Sequence, residues 1–141
     1  IAVRGEFAVF PIFLFAILML WMGGFDIIYA TQDEEIDRKM GLCSVPARFG
    51  RKVALKIAFW SHVCMIALCA AFGFVWKMGA VWWVVTGLMT GAIAYIHLFR
   101  KSDDLDAMNR DFFLANVAVS LLVMVGLVAW IVLGGDVNAL A

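Results

Sequence analysis

Charged residues cut this chain into long apolar stretches. No Asp, Glu, Lys or Arg occurs in 7–25, 57–76, 78–99 or 112–135. A hydrocarbon layer of about 30 Å is crossed by roughly 20 helical residues. Four stretches of that length predict four membrane-spanning helices, at about 7–30, 53–76, 79–99 and 112–134. No segment alternates with the period of two that a half-buried strand shows, so the predicted fold class is all-α, an integral membrane helical bundle. Lys77 and Met78 leave only a tight turn between the second and third spans, which makes them a helical hairpin. Two charged loops, about 31–52 and 100–111, complete the pattern. The first stretch does not read as a signal peptide: it is long, carries Pro11, and lacks a basic segment leading to a small-residue cleavage site.

Composition agrees. The 141 residues are 65% hydrophobic and 16% charged, with a mean hydropathy of +0.98, well above a soluble domain's apolar share of about half. The net charge is zero, but its distribution is lopsided. Arg38, Lys39, Arg48, Arg51, Lys52 and Lys56 lie in the first loop region and Arg100, Lys101 and Arg110 in the second, against Arg4 and Lys77 on the opposite side. Loops rich in Lys and Arg stay in the cytoplasm, which orients both charged loops inward. The chain opens on Ile1 rather than Met and is expected to be a piece of a longer protein. Cys43, Cys64 and Cys69 fit neither a metal spacing nor a disulfide framework and read as small apolar residues. Trp76, Trp82 and Trp83, beside the hairpin turn, suit an interfacial aromatic belt. Gly87 and Gly91 form a G-x-x-x-G that lets a neighbouring helix of the bundle approach closely.

The segment "GFDIIYATQDEEIDRKMG" (24–41) crowds five carboxylates at the end of the first span. On one helix running out of the bilayer, Asp26, Tyr29, Asp33 and Asp37 share a face. Asp26 lies near the membrane boundary, where an ionisable side chain usually faces a polar cavity. Asp33 and Asp37 repel one another across one turn by a few tenths of a kcal/mol. Water, a basic neighbour such as Arg38, Lys39 or Arg48, or a bridging divalent cation would compensate them; Mg²⁺ suits one or two carboxylates plus waters and phosphate oxygens. A second charged cluster, "FRKSDDLDAMNRD" (99–111), caps the same end of the bundle. The alternative is a solvated loop of mixed charge on a non-catalytic membrane module. A transporter fits poorly, because the stretches 57–76, 78–99 and 112–135 hold no Asp, Glu, Lys or Arg to continue an ion path.

The run "DIIYATQDEEIDRKMGLCSVPARFG" (26–50) resembles the second aspartate-rich motif of the UbiA superfamily of intramembrane aromatic prenyltransferases, through Asp26, Tyr29, Ala30, Asp33, Asp37, Gly41, Ser44, Phe49 and Gly50. The run 102–120 resembles the 4-hydroxybenzoate-type and menaquinone-pathway branch. The family has about nine membrane helices and an aspartate-rich motif in each half. The first motif, N-D-x-x-D-x-x-x-D, has no match here, since Asp103, Asp104 and Asp106 have the wrong spacing. The resemblance therefore implies the C-terminal portion, helices six to nine, partnered by an N-terminal half.

It further implies Mg²⁺-dependent transfer from a polyprenyl diphosphate to an aromatic acid, 4-hydroxybenzoate before a naphthoate, in quinone biosynthesis at the bacterial inner membrane. By the same resemblance Asp33 and Asp37 are metal ligands, and Arg38, Lys39 and Arg48 contact the diphosphate. Asp26 and Tyr29 line the reaction cavity as positioning or cation-stabilising groups, and Asn116 faces the cavity or makes an interhelical hydrogen bond. His62 and His97 read as packing or hydrogen-bonded residues.

Overall fold

The computed structural model describes residues 9–99 and 105–132. Six helices follow in chain order: α1 (Val9–Ala30), α2 (Glu34–Met40), α3 (Val45–Phe49), α4 (Arg51–Val75), α5 (Ala80–Phe99) and α6 (Leu105–Val132), and no strand occurs among the described residues. Among the described residues three helices hold stretches long and apolar enough to cross a membrane, Pro11–Ala30, Arg51–Val75 and Ala80–Leu98, while α6 contains the shorter apolar stretch Phe113–Gly126. Pro11 sits in the first turn of α1, where a missing N–H costs nothing.

The long helices pack chiefly in chain order, α1 on α4, α4 on α5 and α5 on α6, an arc whose first and last helices meet through the Trp21–Asn116 hydrogen bond. The core runs along the inner side of the arc through Ile17, Trp21, Phe25 and Ile28 of α1, Met65 and Phe72 of α4, Trp82, Met89 and Ile93 of α5, and Val119 of α6. One polar knot lies within it. His62 of α4 is fully buried, and its Nδ1 lies 2.9 Å from His97 Nε2 of α5. One ring donates and the other accepts, so the contact bolts α4 to α5. The His62 ring fills the notch that Gly24 leaves in α1; a Cβ there would stand 2.5 Å from His62 Nε2. The packing role expected for both histidines is what the structure shows.

Two packing expectations change. Trp82 is 4% exposed and its indole donates to the Cys69 carbonyl at 3.1 Å. It ties the hairpin together instead of joining an interfacial belt, while Trp83 remains partly exposed against Phe74. Gly87 and Gly91 are exposed, and a Cβ at either would meet nothing within 4 Å. No described helix uses that small-residue face. The 3.6-residue period leaves both glycines on the outer side of α5, opposite its contacts.

Candidate active site

The motif region is built from short backbone devices. The helix expected to run through 24–41 stops at Ala30. Thr31 turns both its N–H (3.0 Å) and its hydroxyl (2.7 Å) onto the Ile28 carbonyl, and Gln32 N–H bonds Tyr29 O at 3.1 Å. The Thr31 carbonyl instead accepts from Arg51 Nη2 at 3.4 Å. The i→i+4 ladder therefore ends, and α2 starts afresh. Asp26 and Tyr29 stand on the last turns of α1, while Asp33 and Asp37 belong to α2. The single shared face is replaced by two short faces around a joint at 31–33.

Asp33 and Asp37 stay one turn apart, because Asp37 N–H bonds Asp33 O at 2.7 Å in the opening turn of α2. Such a pair sets its Cβ atoms roughly 5–6 Å apart. Asp33 occupies the N-cap, yet its carboxylate makes no capping hydrogen bond. Two cationic ends nearby have neighbours of their own. Arg38 pairs with Glu34 at 2.9 Å, and Arg48 lies over the Phe49 ring at 5.6 Å from its centroid. Lys39 is exposed. Among the described residues neither Asp33 nor Asp37 forms an ion pair, so no described cation offsets the two carboxylates.

That is the donor set a hard divalent cation takes with open positions left for water and phosphate oxygens. No group of three or more His, Cys, Asp or Glu converges among the described residues, so those residues offer at most part of a metal shell. Asp26 and Tyr29 are exposed at the end of α1. Arg100, Lys101, Asp103 and Asp104 lie outside the described residues, as does the Asp106 side chain.

The rest of the motif holds this loop in shape. Gly41 ends α2 with φ 71°, and Leu42 N–H returns to Asp37 O at 2.8 Å, a Schellman-type stop. Ser44 caps α3 by accepting from Ala47 N–H at 3.3 Å, with Pro46 in the first turn. Gly50, with φ 81° and ψ 156°, swings the chain from α3 into α4 through a region open essentially to glycine alone.

Sequence reasoning passed over two residues here. Arg51 crosses from the start of α4 to the joint, its Nε 3.8 Å from Glu34 Oε2, and Glu34 is only 16% exposed. A cation at a helix N-terminus opposes the macrodipole. That mismatch was the legible sign that Arg51 serves something other than its own helix.

Below this end, on the inner side of the arc, an apolar cavity of about 580 Å³ lies between α1, α4, α5 and α6. Its size falls within the usual ligand-pocket range of roughly 300–1,000 Å³. Asn116 is among the residues lining this cavity, and its Oδ1 accepts from the Trp21 indole at 2.9 Å. An amide inside a membrane span needs a partner, but the sequence does not say which residue supplies it.

Known proteins resemble this chain in sequence and in shape. The UbiA prenyltransferase family pattern matches residues 1–117. The 4-hydroxybenzoate octaprenyltransferase of Pseudomonas fluorescens (strain SBW25) is 32% identical over 115 residues, 79% of this chain and 37% of that protein. The protein of the same description from Vibrio parahaemolyticus serotype O3:K6 (strain RIMD 2210633) is 31% identical over 127 residues, 89% of this chain and 44% of that protein. The chain thus spans less than half the length of these relatives. Among solved structures, the apo form of a UbiA homolog from Aeropyrum pernix K1 superposes with a TM-score of 0.72 at 30% identity, over 84% of this chain and 42% of that one. By the residues matched, by sequence and by shape, the chain belongs to the UbiA prenyltransferase family.

Proposed function

We propose that this chain supplies the C-terminal share of a Mg²⁺-dependent site that moves a polyprenyl group from its diphosphate to an aromatic acid, with 4-hydroxybenzoate the first candidate acceptor and a naphthoate of the menaquinone route the second. The observation that carries this reading is the stacking of two unlike environments: the uncompensated Asp33–Asp37 pair at the charged end of the arc, and an apolar cavity of about 580 Å³ beyond it. A prenyl diphosphate has the same two halves. The relatives named for octaprenyl transfer to 4-hydroxybenzoate support the donor and acceptor classes.

In this mechanism Asp33 and Asp37 would hold the cation together with residues of an N-terminal half of the same protein, and it would there offset charge on the leaving diphosphate oxygens. Lys39, Arg48 and Arg38, the last exchanging Glu34 for phosphate, cover the oxygens that remain. The allylic C–O bond then breaks with its electron pair leaving on the diphosphate. A ring carbon of the acceptor bonds the allylic carbon, and the ring proton passes to the released diphosphate. Asp26 and Tyr29, between the two environments, position the acceptor and face the developing cation. The apolar wall keeps water from capturing that cation. The charged loops face the cytoplasm of a bacterial inner membrane, where both substrates of quinone biosynthesis are made available.

The test is made in the full-length protein. Asp33→Asn and Asp37→Asn are each expected to lower Mg²⁺-dependent prenyl transfer by a hundredfold or more, measured as labelled 4-hydroxybenzoate carried into lipid extracts. Full activity in both variants would refute the metal role.

A further inference from the structure

The first and last long helices of the arc, α1 and α6, do not pack along their lengths. They are joined instead by the Trp21 indole N–H, which donates to Asn116 Oδ1 at 2.9 Å across 95 residues of sequence. This bridge has a definite place relative to the cavity. On α1 the lining runs from Trp21 and Met22 back to Leu14, and on α6 it runs from Asn116 forward to Met124. Both helices therefore put the bridge at the end of the cavity nearest Asp26. Trp21 precedes Asp26 by five residues, about 7.5 Å of helical rise, and Leu14 lies about 10.5 Å beyond Trp21. A tail reaching down from the Asp33–Asp37 end would come to the bridge before the deep part of the cavity.

We propose that the Trp21–Asn116 bridge is a specificity-determining gatepost that selects prenyl donors by length. This rests on the prenyl-transfer reading above. A short donor ends at or above the bridge and gains nothing from the cavity below. A long donor threads past it and buries its distal units against Leu14, Val119 and Val123. The hydrogen bond holds the indole, 6% exposed, across to α6 as part of the wall. Freed from Asn116, the indole can turn into the space the distal units need, and α1 loses its tie to α6. The selective advantage of long donors then falls, and the loss sits in KM because tail burial is a binding term.

The experiment uses full-length enzyme with Trp21→Phe, Asn116→Leu and the double variant. Each is assayed with geranyl diphosphate and with a donor of eight isoprene units. Binding of the uncleavable thiolo analogues of both donors is measured alongside. The expected result is a fivefold or greater fall in the long-to-short ratio of kcat/KM for each single variant, carried by KM for the long donor. The double variant should be no worse than the worse single, because either change breaks the same bond. An unchanged ratio in both single variants overturns the proposal, as does an additive double variant. Either single variant alone decides the matter if the other fails to fold. Wild-type enzyme that binds the long analogue in a bridge-dependent way but transfers no prenyl group to any aromatic acid would sink the proposed function and leave the gatepost standing.

Discussion

Gly24 shows how one missing methyl group holds three helices in register. The His62 ring lies against the bare Gly24 backbone, with Phe25 5.2 Å and Trp21 5.9 Å away between ring centroids, and its Nδ1 is fixed 2.9 Å from His97 Nε2. A Cβ at Gly24 would come within 2.5 Å of Nε2 and 2.8 Å of Cδ2, closer than atoms pack, and the ring cannot retreat without losing His97. Gly24→Ala is therefore expected to destabilise the protein by about 1–3 kcal/mol, the usual range for overpacking, despite the better helix propensity of alanine. Thermal unfolding in detergent would check this. His62→Ala should make the Gly24→Ala change nearly neutral, and an equal loss in both backgrounds would show that the ring is not the obstacle. The sequence placed His62 and His97 in separate spans and suggested packing. That they meet each other depends on the tilt of α4 against α5, which no local pattern encodes.

Helix ends tell a similar story at the next scale. The bodies of α1, α4, α5 and α6 were legible because a charge-free run of about 20 residues has few alternatives in a bilayer. The stop at 31–33 was not, since Thr31 and Gln32 are tolerable helix residues and the break is secured from 20 positions away by Arg51. The acidic motif was thus legible as a motif, while its division between two helices was not. Gly41, Ser44 and Gly50 matched the family pattern, and the structure gives each a backbone reason. The α4–α5 turn closes less comfortably. Met78 N–H returns to Gly73 O at 2.9 Å, yet the left-handed position is filled by Lys77 at φ 49°, which costs a side-chain-bearing residue about 1–2 kcal/mol. Lys77→Gly is expected to stabilise the hairpin by up to about 1 kcal/mol after glycine's added chain entropy is offset. A rise in melting temperature would bear this out, and a fall would mean that the lysine side chain stabilises the turn by more than its backbone strain.

At the scale of the whole molecule, the arc has one charged end and one nearly uncharged end, and the proposed chemistry requires the charged end to face the cytoplasm. The three cysteines of this chain make this testable in a full-length protein whose other cysteines are replaced by serine. Cys43 is exposed in the loop between α2 and α3, Cys64 is exposed on the outer side of α4, and Cys69 is buried. If α4 crosses the bilayer, the exposed side of Cys64 meets lipid, where a charged maleimide does not go. Cys43 lies among Arg38, Lys39 and Arg48, in water on whichever side those charges occupy. The expected outcome is labelling of Cys43 by a membrane-impermeant maleimide in inside-out inner-membrane vesicles and its protection in intact spheroplasts. Cys64 should stay unlabelled in both until detergent is added, and Cys43→Ser should abolish the vesicle signal. Labelling of Cys43 in spheroplasts would reverse the orientation and remove the diphosphate from the side where it is made. Labelling of Cys64 in sealed vesicles would mean that α4 faces water, leaving the apolar cavity with no bilayer around it to keep water from the cation.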